Sequence, residues 1–442
     1  MTIPWGQRAL TRPSVQGILE DKAPHPWLPS PSEGRGTGTK ARRGRVGVNV
    51  LELLTSDRPI GEIVESFQRE FNAVFVRSLA QKAEESKNLP SLAQRALAGP
   101  HRFSLQSFAA RGGKRIRPLL FCCGYLCLGG TDAQAILNAS VAVELLQTGL
   151  IIHDDVIDRS LERRAGPTMH LLWQEYFRER RYRARYAGEP EHFGLSMAVL
   201  MGDIASALAY EILVRSDFPV ERRLKAVHTF SDVIYRVAFG ELLDVDLGMR
   251  SLDTLTEEEI LKVYELKTAG YTTEGPLHMG AVLGGAEGHH LALLSEYAVP
   301  LGIAFQIQDD LLGMFGAREA TGKDEGSDLL EAKRTPLVLK AWHDGTPHER
   351  ATLERVLHDP HQAQQELARV RTLILDTGAA RYAQGLIAQN FTKIYASLEK
   401  IERCLGPTAA RLLRQVAQYI EGRRDYKGAV ESYANTYTEH IR

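Results

Sequence analysis

Five consecutive residues, Asp154-Asp155-Val156-Ile157-Asp158, put three carboxylates at the end of an apolar stretch. Positions three or four apart share a helix face, so Asp154 and Asp158 point the same way with Asp155 beside them. Acids near a helix C-terminus oppose the macrodipole, a cost that a bound cation removes. A solvated acidic turn, or pairing with Arg159, Arg163 and Arg164, would explain such a cluster standing alone. Hard carboxylate oxygens could instead hold Mg²⁺, which keeps several waters and takes phosphate oxygens as further ligands. A second acidic pair favours the metal. Gly302-Ile-Ala-Phe-Gln-Ile-Gln-Asp309-Asp310 is again an apolar helical run ending in adjacent aspartates, and Lys323, Asp328, Lys333 and Arg334 follow it. Two such helices facing across a cavity could clamp a Mg²⁺-diphosphate from both sides, with the basic groups holding the remaining oxygens. A third segment, Arg111-Gly112-Gly113-Lys114-Arg115-Ile116-Arg117-Pro118, adds positive charge and glycines that let backbone approach an anion.

These groups need a scaffold, and the apolar spacing is helical from about Val50 onward. Segments such as ILNASVAVELLQTGLIIHDDVID and GLSMAVLMGDIASALAYEILV repeat apolar residues at helical intervals, with Gly and Pro between them. No alternating strand pattern stands out. The pattern predicts an all-α fold, one large bundle of about ten or more helices around a central cavity, over residues 49–442. Residues 1–48 are rich in Pro, Gly, Arg and Lys and read as a solvated extension. Arg178 to Arg185 reads as a solvated basic face, and His343 to Pro360 as a peripheral loop with a short helix. Hydrophobic residues at 44% and charged residues at 25% are those of a globular protein. A net charge of -1 asks for neither nucleic acid nor an anionic membrane. Cys122, Cys123 and Cys127 have apolar neighbours and read as core side chains, and His153 and His170 as packing or hydrogen-bonding residues. No apolar run approaches the roughly 18 residues of a membrane span, and MTIPWGQRAL lacks the apolar centre of a signal peptide. The cytoplasm is the expected compartment.

Taken together, the motifs resemble the trans-prenyl diphosphate synthase family, and look most like its bacterial geranylgeranyl-type members. GGKRIRP at 112–118, HDDVIDRSLERRAGPTMH at 153–170, Lys267-Thr268 within YELKTAGYT, and FQIQDDLLG at 305–313 occur in the family's order, over roughly residues 60–430. The resemblance implies that Lys114, Arg117, Gln147 and Arg164, beside Gly113, bind the diphosphate of isopentenyl diphosphate. It implies that Arg163, Lys267, Thr268, Gln306, Lys323 and Lys333 receive the allylic diphosphate, whether dimethylallyl, geranyl or farnesyl. Asp154, Asp158 and Asp309 should ligate Mg²⁺, with Asp155 and Asp310 supporting. Three Mg²⁺ per site, replaceable by Mn²⁺, and a homodimer are further implications. Developing charge on a departing diphosphate is stabilised by such a site, and the family's reaction needs no side-chain base.

The chain also departs from the family pattern. Gly313 stands where many members carry a third aspartate, Glu241 replaces a common glutamine with Asp244 still in register, and Ala165 and Ala332 each replace a glycine. Short-product members typically have a bulky aromatic five positions before the first aspartate of the motif; Gly149 and then Leu150 occur here. An open tunnel at that level predicts a C20 product, geranylgeranyl diphosphate, with farnesyl or longer products as the alternative, and predicts that Gly149→Phe shortens it. A terpene cyclase would share the fold, but its N-D-x-x-S-x-x-x-E metal motif is not found and the isopentenyl-binding set would be superfluous. A non-catalytic partner subunit would be expected to have lost claw residues that this chain keeps.

Overall fold

The computed structural model describes residues 49–179, 189–317, 325–423 and 425–441. The N-terminal extension, most of the Arg178–Arg185 run, and Lys323 lie outside those residues. Among the described residues helices are the only extended regular elements, well over ten of them, with one isolated antiparallel bridge between Glu162 and Pro167. The all-α expectation therefore holds. The helices that bear on the site are α1 (Ile60–Glu85), α2 (Ile116–Cys127), α3 (Val141–Ile157), α4 (Pro190–Val214), α5 (Val220–Met249), a π-helical segment (Tyr264–Glu274), α6 (Gly275–Gly284), α7 (Gly288–Phe315), α8 (Pro336–Asp344) and α9 (Pro347–His358).

Local chemistry explains where these elements begin. Thr335 accepts the backbone N–H of Val338 and Pro336 follows at the first helical position, which starts α8. Thr346 and Glu349 form a reciprocal capping box at the start of α9. That cap makes His343 to Pro360 more regular than expected: α9 is a full helix that buries Leu353 and Val356. In α1, Ile63, Val64, Phe67, Phe71, Val74, Phe75 and Leu79 recur at three- and four-residue intervals and are all buried. Each contributes about 1.5–3 kcal/mol by leaving water. Cys122, Cys123 and Cys127 are buried and unlinked in the same core, and burial pushes the Cys122 and Cys127 thiols up to about 12.

One sequence expectation is overturned. Three helical stretches, Ala133–Ile157, Pro190–Val214 and Gly288–Phe315, are long and apolar enough to cross a membrane by length and composition. Scattered polar residues hide this in the sequence, because a few charges per span are compatible with high mean hydropathy. The most apolar 18-residue stretch within Ala133–Ile157 is 83% buried inside the protein, so its apolarity is that of a core helix. For α4 only 39% is buried, and Val199, Leu200 and Ile204 face outward.

Candidate active site

The first cluster forms where α3 ends. Asp158 caps that helix, its N–H bonded to the Asp154 carbonyl at 2.8 Å, so the two side chains share a face as the spacing requires. Asp155 is fully buried and accepts from Arg163 Nε at 2.7 Å, while Arg163 Nη2 reaches Asp154 at 3.1 Å. Burial lowers the Arg163 pKa, but the fields of Asp155 and Asp154 outweigh it and hold the guanidinium charged. Lys267 projects from the π-helical segment into the same group: its Nζ lies 3.4 Å from Asp154 and 2.7 Å from both Glu241 and Asp244 of α5. Burial would depress Lys267, yet Asp154, Asp244 and Glu241 together raise it above its ordinary value. Burial and the nearby Asp154 carboxylate push Asp158 up to about 7.

The second cluster comes from α7, and here the structure differs from expectation. Asp309 and Asp310 do not end their helix, which runs on to Phe315 because Leu311, Leu312, Met314 and Phe315 continue the buried face. The two neighbours have different surroundings. Asp309 is about two-fifths exposed and accepts from Arg423 at 2.8 Å. Asp310 is only 3% exposed; it accepts from Tyr264 on one oxygen and from Gln306 Nε2, at 2.9 Å, on the other. Gln306 Oε1 in turn accepts from Thr268 at 2.8 Å, so Asp310, Gln306 and Thr268 form one chain. Burial, then the charge of Asp328, pushes Asp310 up to about 8. Asp154, Asp309 and Asp310 all line the cavity, with Asp310 held by two protein donors, whereas Asp155 lies behind it, bonded to Arg163. Lys333 lies 2.7 Å from Glu331 and 3.5 Å from Asp328, and these acids outweigh the burial that would discharge it. Arg334, expected to hold phosphate, is 3% exposed and donates to the carbonyls of Ala332 and Arg250.

The basic loop lies beside the first cluster. Gly112 and Gly113 have φ of 104° and 127°, a conformation that favours glycine, and Arg164 donates to the Gly112 carbonyl. The Arg164 guanidinium covers the Gly113 Cα, since a Cβ there would stand 3.2 Å from Arg164 Nη2. Arg117 donates to Gln147 and to Thr272, both at 2.7 Å, and its guanidinium lies 4.3 Å from the Tyr271 ring. Lys114 lines the cavity, while Arg115 is buried structure, bonded to Glu144, Asn72 and the Ala109 carbonyl. A cavity of about 660 Å³ joins Lys114, Asp154, Lys267, Asp309 and Lys333.

The polyprenyl synthetase family model matches residues 102–374, which carry every cavity-lining residue except Arg423. The chain belongs to that family. It is thereby an enzyme of prenyl chain elongation, a trans-prenyltransferase. Among polyprenyl synthetases, the geranylgeranyl diphosphate synthase of Methanosarcina mazei is 33% identical over 317 residues, 71% of this chain and 86% of its own length. The geranylfarnesyl diphosphate synthase of Natronomonas pharaonis is 29% identical over 350 residues, 76% of this chain and 92% of its own. The solved geranylgeranyl pyrophosphate synthase of Corynebacterium glutamicum, complexed with isoprenyl diphosphate and magnesium, matches with a TM-score of 0.67 at 30% identity, over 78% of this chain and 99% of that one.

The synthetase site fits a divalent cation on its own chemistry. Carboxylate oxygens of Asp154, Asp158 and Glu241 lie within 4.8 Å of one another, and Asp158 Oδ2 and Glu241 Oε1 are buried with no hydrogen-bond partner among the described residues. Burial first, and then the neighbouring carboxylates, raise the pKa values of Asp158 and Asp310, a cost that a bound cation would offset.

Two residues expected to set the tunnel floor of this synthetase part company. Leu150 lines the cavity. Gly149 instead faces α4: a Cβ on it would stand 2.8 Å from the Gly202 carbonyl oxygen and 3.1 Å from Ser206 Oγ. Arg423 was not found from the sequence, because EGRRDYK matches no motif and its partner Asp309 is 114 positions away. Asp328 fills the space beside Gly313, where a Cβ would come within 2.1 Å of its Oδ2.

Proposed function

We propose that the enzyme condenses an allylic diphosphate with isopentenyl diphosphate, head to tail, and releases geranylgeranyl diphosphate as its main product. The observation that carries this reading is the meeting of two carboxylate clusters, each with its own half-buried lysine, across one cavity beside the Arg117–Gln147 pair. Lys114, Arg117, Gln147 and Arg164 bind the isopentenyl diphosphate. Arg163, Lys267, Lys323 and Lys333 receive the allylic diphosphate, with Thr268 and Gln306 against its first carbons. Asp154, Asp158 and Asp309 ligate three Mg²⁺, or Mn²⁺ in their place, and Asp155 and Asp310 hold the neighbouring groups in position. When bound, the ions neutralise the departing diphosphate so that the allylic C–O bond can ionise. Lys267 and Lys333 share that charge, and Leu150, Ile151 and Val237 keep water from the resulting cation. The isopentenyl double bond attacks the cation, and the surplus proton leaves on the released diphosphate.

Relatives named geranylgeranyl synthases support the C20 product, and the relative named a geranylfarnesyl synthase marks C25 as the nearest alternative. Chromatography after incubation with farnesyl and isopentenyl diphosphates and Mg²⁺ is expected to show a C20 product with stoichiometric diphosphate release. Absence of both would overturn the reading. A homodimer is part of it, supported by the outward apolar faces of α4 and α5. So is a cytoplasmic location, which cell fractionation tests against the membrane.

A further inference from the structure

Helix α5 brings two acids to the first cluster, and they are not equivalent. Glu241 and Asp244 each lie 2.7 Å from Lys267 Nζ. Only Glu241 joins Asp154 and Asp158 in a group whose carboxylate oxygens all lie within 4.8 Å of one another. Its Oε2 takes the Lys267 contact, while Oε1 is shut off from solvent with no hydrogen-bond partner among the described residues. A desolvated carboxylate oxygen without a donor is costly unless a cation completes it. Small inward movements of the three carboxylates bring them to the 2.0–2.1 Å contacts that Mg²⁺ demands. The acid missing at Gly313 is also pertinent, because the Asp328 carboxylate occupies the space beside it. The chain has one carboxylate fewer at the second cluster and one more at the first.

We infer that Glu241 is a metal ligand of the first cluster, a third carboxylate arm supplied by α5, which shifts part of the metal-holding charge from the second cluster to the first. This rests on the reading that the first cluster holds divalent cations. Ligands from two helices fix the ion relative to both α3 and α5, where two acids on α3 alone would let it swing. The site therefore binds its first ion more tightly than one with an uncharged amide at 241.

The test titrates Mn²⁺ into the full-length protein in the presence of inorganic pyrophosphate, with free Mn²⁺ read by electron paramagnetic resonance. Glu241→Gln keeps the shape and removes the charge. It is expected to weaken Mn²⁺ binding by about 10- to 100-fold. Asp244→Asn, which loses an equal contact to Lys267 but lies outside the group of three, is expected to change binding far less. Unchanged affinity in Glu241→Gln overturns the inference. Equal losses in both variants also overturn it, since Glu241 would then only anchor Lys267. If the unaltered protein bound no Mn²⁺, the metal-dependent reading itself would fall. Lys267 keeps Asp154 and Asp244 in Glu241→Gln, so that variant is expected to fold, which circular dichroism checks.

Discussion

Ala165 and Ala332 have φ of 54° and 55°, in the left-handed region where a Cβ crowds the following carbonyl. Both stand where the sequence resemblance leads one to expect glycine, and the backbone has the conformation that glycine serves. Ala332→Gly and Ala165→Gly are each expected to stabilise the protein by about 0.5–1 kcal/mol, strain relief being partly offset by a freer unfolded chain. Thermal melts check this as a small upward shift. His170 gives a second residue-scale outcome. Burial lowers its pKa to about 4, and Thr168 is its hydrogen-bond neighbour. The unfolded chain then binds a proton below about 6.5 that the folded protein refuses, so stability falls as pH drops from about 6.5 to 4. His170→Gln is expected to remove on the order of 2–3 kcal/mol of that dependence, read from denaturant midpoints across the window. At this scale the sequence told which residues carry charge but not how each is used. Asp309 and Asp310 are adjacent and chemically identical and both reach the cavity, yet one is two-fifths exposed and pairs with Arg423 while the other is buried between Tyr264 and Gln306.

The seam between α3 and α4 decides what Gly149 can do. Phe at that position has no room against the Gly202 carbonyl and Ser206, so the expected product shortening gives way to overpacking. Gly149→Phe is expected to cost about 1–3 kcal/mol or more and to lower the melting temperature. Leu150→Phe, on the face that does line the cavity, is the variant expected to shorten the product, read by chromatography of the extracted chains. Counting back from a motif gives a distance along the helix but not the direction in which each side chain points. One residue turns a helix by about 100°, enough to move a position from tunnel to seam. The same gap explains the misplaced end of α7: the acids look terminal, but Leu311 to Phe315 continue the buried stripe beyond them.

Across the whole molecule, α4 and α5 present an outward apolar surface. Tyr235, Phe239, Leu242 and Met249 recur at helical intervals on α5 and are all more than half exposed. Phe239→Asp with Leu242→Asp is expected to halve the mass seen by sedimentation, with helix content unchanged; an unaltered mass would exclude this face as the dimer contact. The bundle was legible from apolar spacing, because period and composition act locally. Arg423 on Asp309 and Asp328 beside Gly313 were not, because only the closed fold brings those segments together. The π-helical segment Tyr264–Glu274 ties these scales to heredity. Each of its turns carries more residues than an α-turn, a geometry found often at functional sites. Loss of the codon for Ala269 or Gly270 would tighten the backbone toward an ordinary α-helix. It would also rotate Lys267 and Thr268 by about 100° against Tyr271 and Thr272. At this stretch the reading frame can survive a deletion that the chemistry does not.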